Sequence, residues 1–548
     1  TKLEAALHKH FGEKWGARNT AGRAELIGHL VESDGAELNI PCESLHAAFS
    51  VVRQKRRLDK YGVSVGALLL VLRACPATLV DFLRSFIASS SMVSSMEVFG
   101  RVLGKESSVS PVNKLRAILP LPALMQVVDA LLPLLLEQHL SAVLPRTPGC
   151  LVAGRPGSQV LDISHAVQCV LEKGLDDFGA AAAAQCDIQQ FYDSLPLILI
   201  LLWLIGNGVP PPLVTAAIRH QVCPQVILIA GGARAVISDR CVGGLTGSRV
   251  AGMLARIPVE SCLAARAATW RKWGFRLTGE GDAGIVLCCA TYIDNCFAVS
   301  RTPAGAVAIL EDLEETLLSR WSLTMKPSSR SYVEALGRSR GVVDEAKWPR
   351  QDTFNVLGHS LQHTGSVRQD WGQTRRQMWG AFWGNSGAAG AKKLSVAFRL
   401  KLLFRAVVPI FDFRCSRWPP QASIAAEVDT LQRKMTAILL RLSPMPGEDV
   451  QQFVRRRGRA ARALCTEHGW WSKRWFKRTV AWDAHVRRED KHFSWSGNLV
   501  EYRGQSYLTE RRASHNGRTA TRTSSGFVCR RWHDGVAFAR ESLDVAVL

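Results

Sequence analysis

The sequence predicts an α+β protein, in which a hairpin sheet packs against long helices. Three patterns carry that expectation. Leu121, Leu124, Val127, Val128, Leu131, Leu134, Leu135 and Leu140 recur at helical spacing, with Pro133 inside the stripe. The β-rich runs Ile285–Ala290 and Cys296–Ser300 flank a short tip, Tyr292-Ile293-Asp294-Asn295, and read as a hairpin. Val307, Leu310, Leu313 and Leu317 line one face of Thr302–Arg320, an amphipathic helix.

Bulk properties bound the class. At 548 residues the chain is long enough for two or more domains, and 47% hydrophobic with 21% charged residues excludes a disordered protein. The net charge of +22 is uneven: residues 371–548 hold 32 Lys/Arg against 14 Asp/Glu, so the last third carries +18 of it. Such asymmetry points to a polyanionic partner. The 14 cysteines form no CxxC pair, which argues against zinc ribbons and disulfide scaffolds and for an intracellular protein, nuclear or cytoplasmic. No signal peptide is visible, and the chain starts at Thr1, as a fragment would. The most apolar run, Leu195–Ile205, is too short to cross a bilayer, which needs ~20 residues, and reads as a buried helix. No membrane partner is expected.

Residues 1–110 read as a mostly helical extension, with core segments at Val63–Leu72 and Leu79–Ile87 and a basic cluster at Val51–Arg57 that reads as a solvated helix face. Asn113–Pro120 then reads as a short strand carrying Lys114 and Arg116, a pair able to grip a triphosphate. Gly154-Arg155-Pro156-Gly157-Ser158 is a tight turn before a helix, Gln159–Leu171, with Ser158 as its expected cap. Arg155 would face a nucleic-acid backbone. Gly243, Gly244 and Gly247 lie in a glycine-rich loop opening a helix that runs to about Trp270, and would let backbone approach a base pair or phosphate. Lys326 sits in a polar loop, and Phe354–Leu361 reads as a strand with a glycine turn.

The chemistry is expected at two acidic stretches. Asp187-Ile188-Gln189-Gln190-Phe191-Tyr192-Asp193 follows the small-residue run Ala180–Ala184, so Asp187 reads as the end of a buried strand. Its partner is Asp294 in the hairpin tip. Two carboxylates on adjacent strand ends can hold divalent cations ~4 Å apart for phosphoryl transfer. Mg²⁺ (or Mn²⁺) suits such a site, because it accepts one or two carboxylates plus substrate phosphates. Tyr192, five residues after Asp187, could lie under the sugar of an incoming nucleotide and exclude a 2′-hydroxyl. Past residue 370 the chain holds ten of its 16 tryptophans, interleaved with basic residues as in Trp470–Arg478. That mixture fits phosphate neutralisation with base stacking, which the charge asymmetry favours; a helical core of tryptophans with solvent-facing arginines can hold at the same time.

In this order the pieces resemble the reverse transcriptases of non-LTR retrotransposons and, more distantly, of group II introns. The similarity covers roughly Asn113–Leu442. Arg116 and Gly154–Ser158 resemble the two fingers motifs. Asp187–Asp193 resembles the palm motif, whose first Asp binds metal and whose aromatic gates the sugar. Thr246-Gly247-Ser248 resembles the loop before the helix that supports template and incoming nucleotide. Tyr292–Asn295 resembles the Tyr-x-Asp-Asp tip, Lys326 the loop lysine near the triphosphate, and Leu357-Gly358 the primer-grip turn. The resemblance implies a polymerase right hand: fingers and palm at 111–370, a helical thumb at 371–445 and a basic extension at 446–548. It implies RNA-directed DNA synthesis from dNTPs on an RNA template and a DNA primer, with metal on Asp187, the Ile188 carbonyl and Asp294, and with Asn295 as an auxiliary ligand. It differs from the family at Asn295, where a second Asp is usual, at Thr246 (Gln) and at Arg249 (Pro). Those differences motivate a second expectation, an RNA-binding remnant with the same fold and little turnover.

Overall fold

The computed structural model describes residues 2–16, 20–52, 58–104, 115–176, 181–238, 240–277, 285–335, 343–362, 367–386, 393–488, 495–497, 499 and 532–544. The protein is α+β, with small mixed sheets wrapped by helices. In chain order the strands are β1 (Glu97–Gly104), β2 (Leu115–Ile118), β3 (Cys150–Val152), β4 (Ala181–Asp187), β5 (Gln225–Ala230), β6 (Ala233–Ile237), β7 (Phe275–Arg276), β8 (Val286–Leu287), β9 (Cys289–Tyr292), β10 (Asn295–Ser300), β11 (Ser331–Ala335), β12 (Thr353–Val356) and β13 (His359–Gln362). Lys114 and the basic run 53–57 lie outside the described residues.

A five-stranded sheet of order β11-β4-β10-β9-β3 sits at the centre, antiparallel except where β3 runs parallel to β9. Its strand β4 is buried along Ala181–Ala184. Helix Val160–Asp176 packs on one face of β4, where Ala181 and Ala183 meet Val167 and Val170. Helix Pro303–Trp321 packs on the other, where Ala184 and Cys186 join Ile309, Leu310 and Leu313. The alanine run explains the doubly covered strand: small side chains let two helices close on it without voids. Thr302 caps the second helix by accepting from the Gly305 amide at 3.1 Å, and the apolar face expected from the sequence is buried.

A second sheet, of order β2-β1-β5-β6, lies to one side. The described residues of 1–110 are mostly helical, as the sequence reading has it, and end in one strand, β1. β1 pairs in parallel with β5, a segment far along the chain, so its extended state is set by tertiary pairing that local composition does not reveal. The N-terminal helices are also not a separate layer. Leu7, Phe11 and Trp15 share one core with Leu131, Ile200 and Leu254. The Trp15 indole donates to Asp193 at 2.9 Å, and Lys14 pairs with the same carboxylate at 2.7 Å. Among the described residues one helix, Ala123–Val143, is long and apolar enough to span a membrane, but its residues Leu131, Leu132 and Leu136 are buried in this core. The run Leu195–Ile205 gives the buried helix expected, Leu197–Gly206.

The C-terminal helices form a third core, in which Trp371, Trp418, Trp471 and Trp475 are buried. The rings of Trp418 and Trp475 meet edge to face at 6.1 Å. These tryptophans are core residues, which corrects the base-stacking expectation for them; the arginines of the same helices are mostly at the surface. Buried Arg417 ties the helical region to helix Val160–Asp176 and to β13: it donates to Asp370 and Gln168 and, through Nε, to His359 Nδ1 at 3.2 Å. Burial and the Arg417 charge hold His359 well below the usual histidine pKa, which keeps its ring neutral and able to accept. Further out, Trp482 donates to His165 Nδ1 at 3.2 Å, so helix Trp471–Arg488 folds back on the helix beside β4.

Candidate active site

The register of β4 and β10 decides where the carboxylates go. Asp187 is the Cα partner of Asn295, and the Ile188 amide donates to the Asp294 carbonyl at 2.7 Å. Asp187 therefore ends its strand beside the β9–β10 turn, whose two connecting residues are Ile293 and Asp294. Ile293 adopts φ 57°, a left-handed conformation that a β-branched residue rarely takes. That strain turns the chain tightly enough to present Asp294 at the tip. In extended backbone the N–H and C=O of one residue point to the same side, so the Ile188 carbonyl faces this turn too.

The two carboxyl groups influence each other. Burial and then the repulsion of Asp294 raise the Asp187 pKa, against the pull of Lys326. Burial raises Asp294 as well, opposed by Arg116, Asn295 and Lys326. Among the described residues neither carboxylate has an ion pair within 4 Å, and no third His, Cys, Asp or Glu joins them to complete a metal cluster. Half-buried acids that repel one another, with cations only at a distance, fit a divalent cation that needs one or two carboxylates and takes its other ligands from a substrate. Zinc would demand a fuller protein set.

Lys326 acts on both carboxylates and Arg116 on Asp294, so both cations lie within electrostatic reach of the pair. Arg116 projects from exposed β2. Lys326 is exposed, and its amide donates to the Asp187 carbonyl at 2.8 Å, fixing the loop to the strand end. The sequence offered no signal for Ser329, whose Oγ accepts from the Asp187 amide at 2.8 Å. Asn295 Nδ2 donates to Asp294 Oδ1 at 2.9 Å, so its amide nitrogen also restrains that carboxylate.

Beside the tip opens a cavity of about 650 Å³, lined by Gly154, Tyr192, Gly252, Met253, Tyr292 and Ile293 among others. The carboxylates border it without lining it. Tyr192 lies at its mouth toward Asp294: burial, then Asp294 and Tyr292, push its hydroxyl up to about 12, so it stays a neutral phenol. Gly252 leaves room for that hydroxyl, which would stand 3.6 Å from a Cβ there.

The glycine loop is corrected. Gly243 and Gly244 approach protein: their amides donate to the Leu195 carbonyl at 3.0 Å and the Tyr192 carbonyl at 2.7 Å. A Cβ on Gly243 would meet the Asp193 carbonyl at 2.8 Å. These glycines seat the Tyr192 turn. Thr246 is half-buried, and Gly247 is exposed with φ 95°, so it serves the turn into helix Arg249–Trp270. Ser248 is buried. It caps that helix by accepting from the Ala251 amide at 3.1 Å and donates to Asp129, so it is unavailable to a template. Asp129, an acid among apolar neighbours in Leu121–Leu140, was the signal for this buried network.

Arg155 is corrected too. Its guanidinium turns inward to Glu260 and to the Leu144 carbonyl at 2.7 Å, so it braces the cavity wall. Nor does Ser158 act as the expected cap: Asp162 reaches back to accept from the Gln159 amide at 2.7 Å. Leu357 and Gly358, at φ 51° and 87°, make the two-residue turn of the β12–β13 hairpin. Arg414 Nη2 fixes it by donating to the Gly358 carbonyl at 2.8 Å. Leu357 and Tyr292 both pack against the core that holds Phe297 and Phe354.

Compared with known protein families and with curated proteins, the chain matches none. The geometry therefore carries the functional argument alone.

Proposed function

We propose that this chain is an RNA-directed DNA polymerase of a retrotransposon-like element, joining deoxynucleotides to a primer 3′-hydroxyl on an RNA template. The observation that carries the reading is the convergence of Asp187 and Asp294 at adjacent strand ends, within electrostatic reach of Arg116 and Lys326. In this reading the five-stranded sheet is the palm, the sheet of β1, β2, β5 and β6 belongs to the fingers, and the helices from Val367 onward form the thumb and its extension.

Asp187, Asp294 and the Ile188 carbonyl would hold Mg²⁺ or Mn²⁺. When bound, the cations would activate the primer hydroxyl and offset charge on departing pyrophosphate. The chain's own residues do the rest. Arg116 binds triphosphate oxygens in a planar two-point contact and Lys326 as a point charge. The neutral Tyr192 ring lies against the sugar and leaves no room for a 2′-hydroxyl. The Leu357–Gly358 turn supports the primer strand, and the cavity beside Tyr192 takes the templating pair. Basic helices at the C-terminus hold nucleic-acid phosphates.

A poly-RNA template with an annealed DNA primer and Mg²⁺ tests this, with dNTPs compared against rNTPs. Extension with dNTPs alone is expected. A second reading, an RNA-binding remnant, is favoured by Asn295, which supplies an amide where a second carboxylate would strengthen the metal site. Asn295→Asp separates the two. A large gain in extension identifies a weakened enzyme; no extension from either form, in Mg²⁺ or Mn²⁺, leaves the remnant.

A further inference from the structure

Three helices of the C-terminal region, Ala422–Leu440, Val450–His468 and Trp471–Arg488, converge on a second pocket of about 320 Å³. Its lining includes Arg433 from the first helix, Arg462 from the second, Lys473 from the third, and Trp470 at the junction. On these helices Arg456 pairs with Glu448 at 2.7 Å, Arg474 with Asp412 at 2.5 Å and Arg487 with Asp483 at 2.9 Å, while Arg455, Arg457 and Arg459 lie on one helix outside the pocket. Among the described residues Arg433, Arg462 and Lys473 have no such partner. The one acid in the lining, Asp429, accepts from the Ser472 amide at 3.0 Å and hydroxyl at 2.7 Å and also feels the Lys473 charge, so one carboxylate stands against three cations.

Three cations against one carboxylate leave this small cavity with a positive excess, which an anion among the cations relieves. Trp470 is half-buried and offers an aromatic face at the same rim. The volume lies at the low end of the ~300–1,000 Å³ range of ligand sites, suited to a nucleotide-sized group.

We propose that this pocket binds the phosphate of one nucleotide, with its base against Trp470, and so anchors an RNA strand away from the Asp187–Asp294 site. The anchor stands or falls independently of the polymerase reading, because none of its residues touches the carboxylate pair.

The test is fluorescence anisotropy of the full chain with short labelled RNA, either 5′-phosphorylated or 5′-hydroxyl, with AMP and inorganic phosphate as competitors. Arg462→Gln and Lys473→Gln change exposed rim residues, so the fold should persist. Each should weaken RNA binding about tenfold and lower the log–log salt slope by about one. Arg455→Gln, exposed on the same helix outside the pocket, should change affinity by less than about twofold. AMP should compete better than phosphate, and Trp470→Leu should abolish that preference. A preference for 5′-phosphorylated RNA assigns the pocket to a strand terminus, whereas equal affinity assigns it to an internal phosphodiester. Parental affinity and salt slope in both rim variants would overturn the proposal, as would an equal loss in Arg455→Gln.

Discussion

Asp187 and Asn295 are directly opposed across β4 and β10, so Asp294, one residue before Asn295, brings its carboxyl group to the strand end that Asp187 occupies. The pairing is antiparallel and locked by the Ile188–Asp294 backbone hydrogen bond of 2.7 Å. A one-residue slip would turn Asp187 to the other face of the sheet and dissolve the site.

The electrostatics of that pair make a stability prediction. Burial and Asp294 raise Asp187 above its ordinary pKa of 3.8. The folded chain then binds this proton more tightly than the unfolded chain, so stability falls as pH rises from 3.8 through the raised folded value, and the charged form is a burden at neutral pH. Asp187→Asn should therefore raise the Tm at pH 7 in chelator, with the difference shrinking on acidification. Mg²⁺ should raise the Tm of the parent more than that of the variant. A lower Tm for Asp187→Asn at pH 7 in chelator would show that the carboxylate is satisfied by the fold itself.

Tyr192 offers a test of substrate choice. Its ring stands beside Asp294, with Gly252 leaving space for its hydroxyl. Tyr192→Ala should raise ribonucleotide incorporation relative to deoxynucleotides by roughly 10-fold or more, since a steric clash is removed. Unchanged dNTP-to-rNTP selectivity in single-nucleotide extension would assign the ring to packing alone.

Arg155 should behave as a brace. Arg155→Ala removes its bonds to Glu260 and the Leu144 carbonyl. Glu260 keeps a second partner in Arg256 at 2.8 Å, so the loss should be about 1–3 kcal/mol rather than that of a bare buried charge. Denaturant melts should register it, while RNA affinity of the folded protein stays within about twofold. Weak RNA binding with parental stability would restore Arg155 to the nucleic-acid surface.

The tryptophans divide by burial. Trp475→Ala should lower stability by about 3–5 kcal/mol through the cavity it leaves against Trp418. Trp383 is 53% exposed and stacks on Trp379 at 6.0 Å, so Trp383→Ala should move stability by less than about 1 kcal/mol. Chemical denaturation of the two variants side by side checks the contrast.

What could be read in the sequence was what is written locally. The β9–β10 hairpin, the Pro303–Trp321 helix and the Leu357–Gly358 turn follow from periodicity and turn position, and with them Asp187, Asp294 and Lys326 reach their places. What could not be read was decided by partners far along the chain. Arg155 looks like a free cation until Glu260 arrives from 105 residues away. Gly243 and Gly244 look like a phosphate cradle until the Tyr192 turn fills it. Trp475 among lysines and arginines looks like a stacking platform until three helices close over it.

The most direct test of the central claim is Mg²⁺-dependent extension of a DNA primer on RNA by Asp187→Ala and Asp294→Ala, with RNA affinity measured on the same preparations. Each substitution should abolish extension and leave RNA binding within about twofold of the parent, as removal of a cation ligand does. Parental extension by either variant would contradict the assignment of this carboxylate pair.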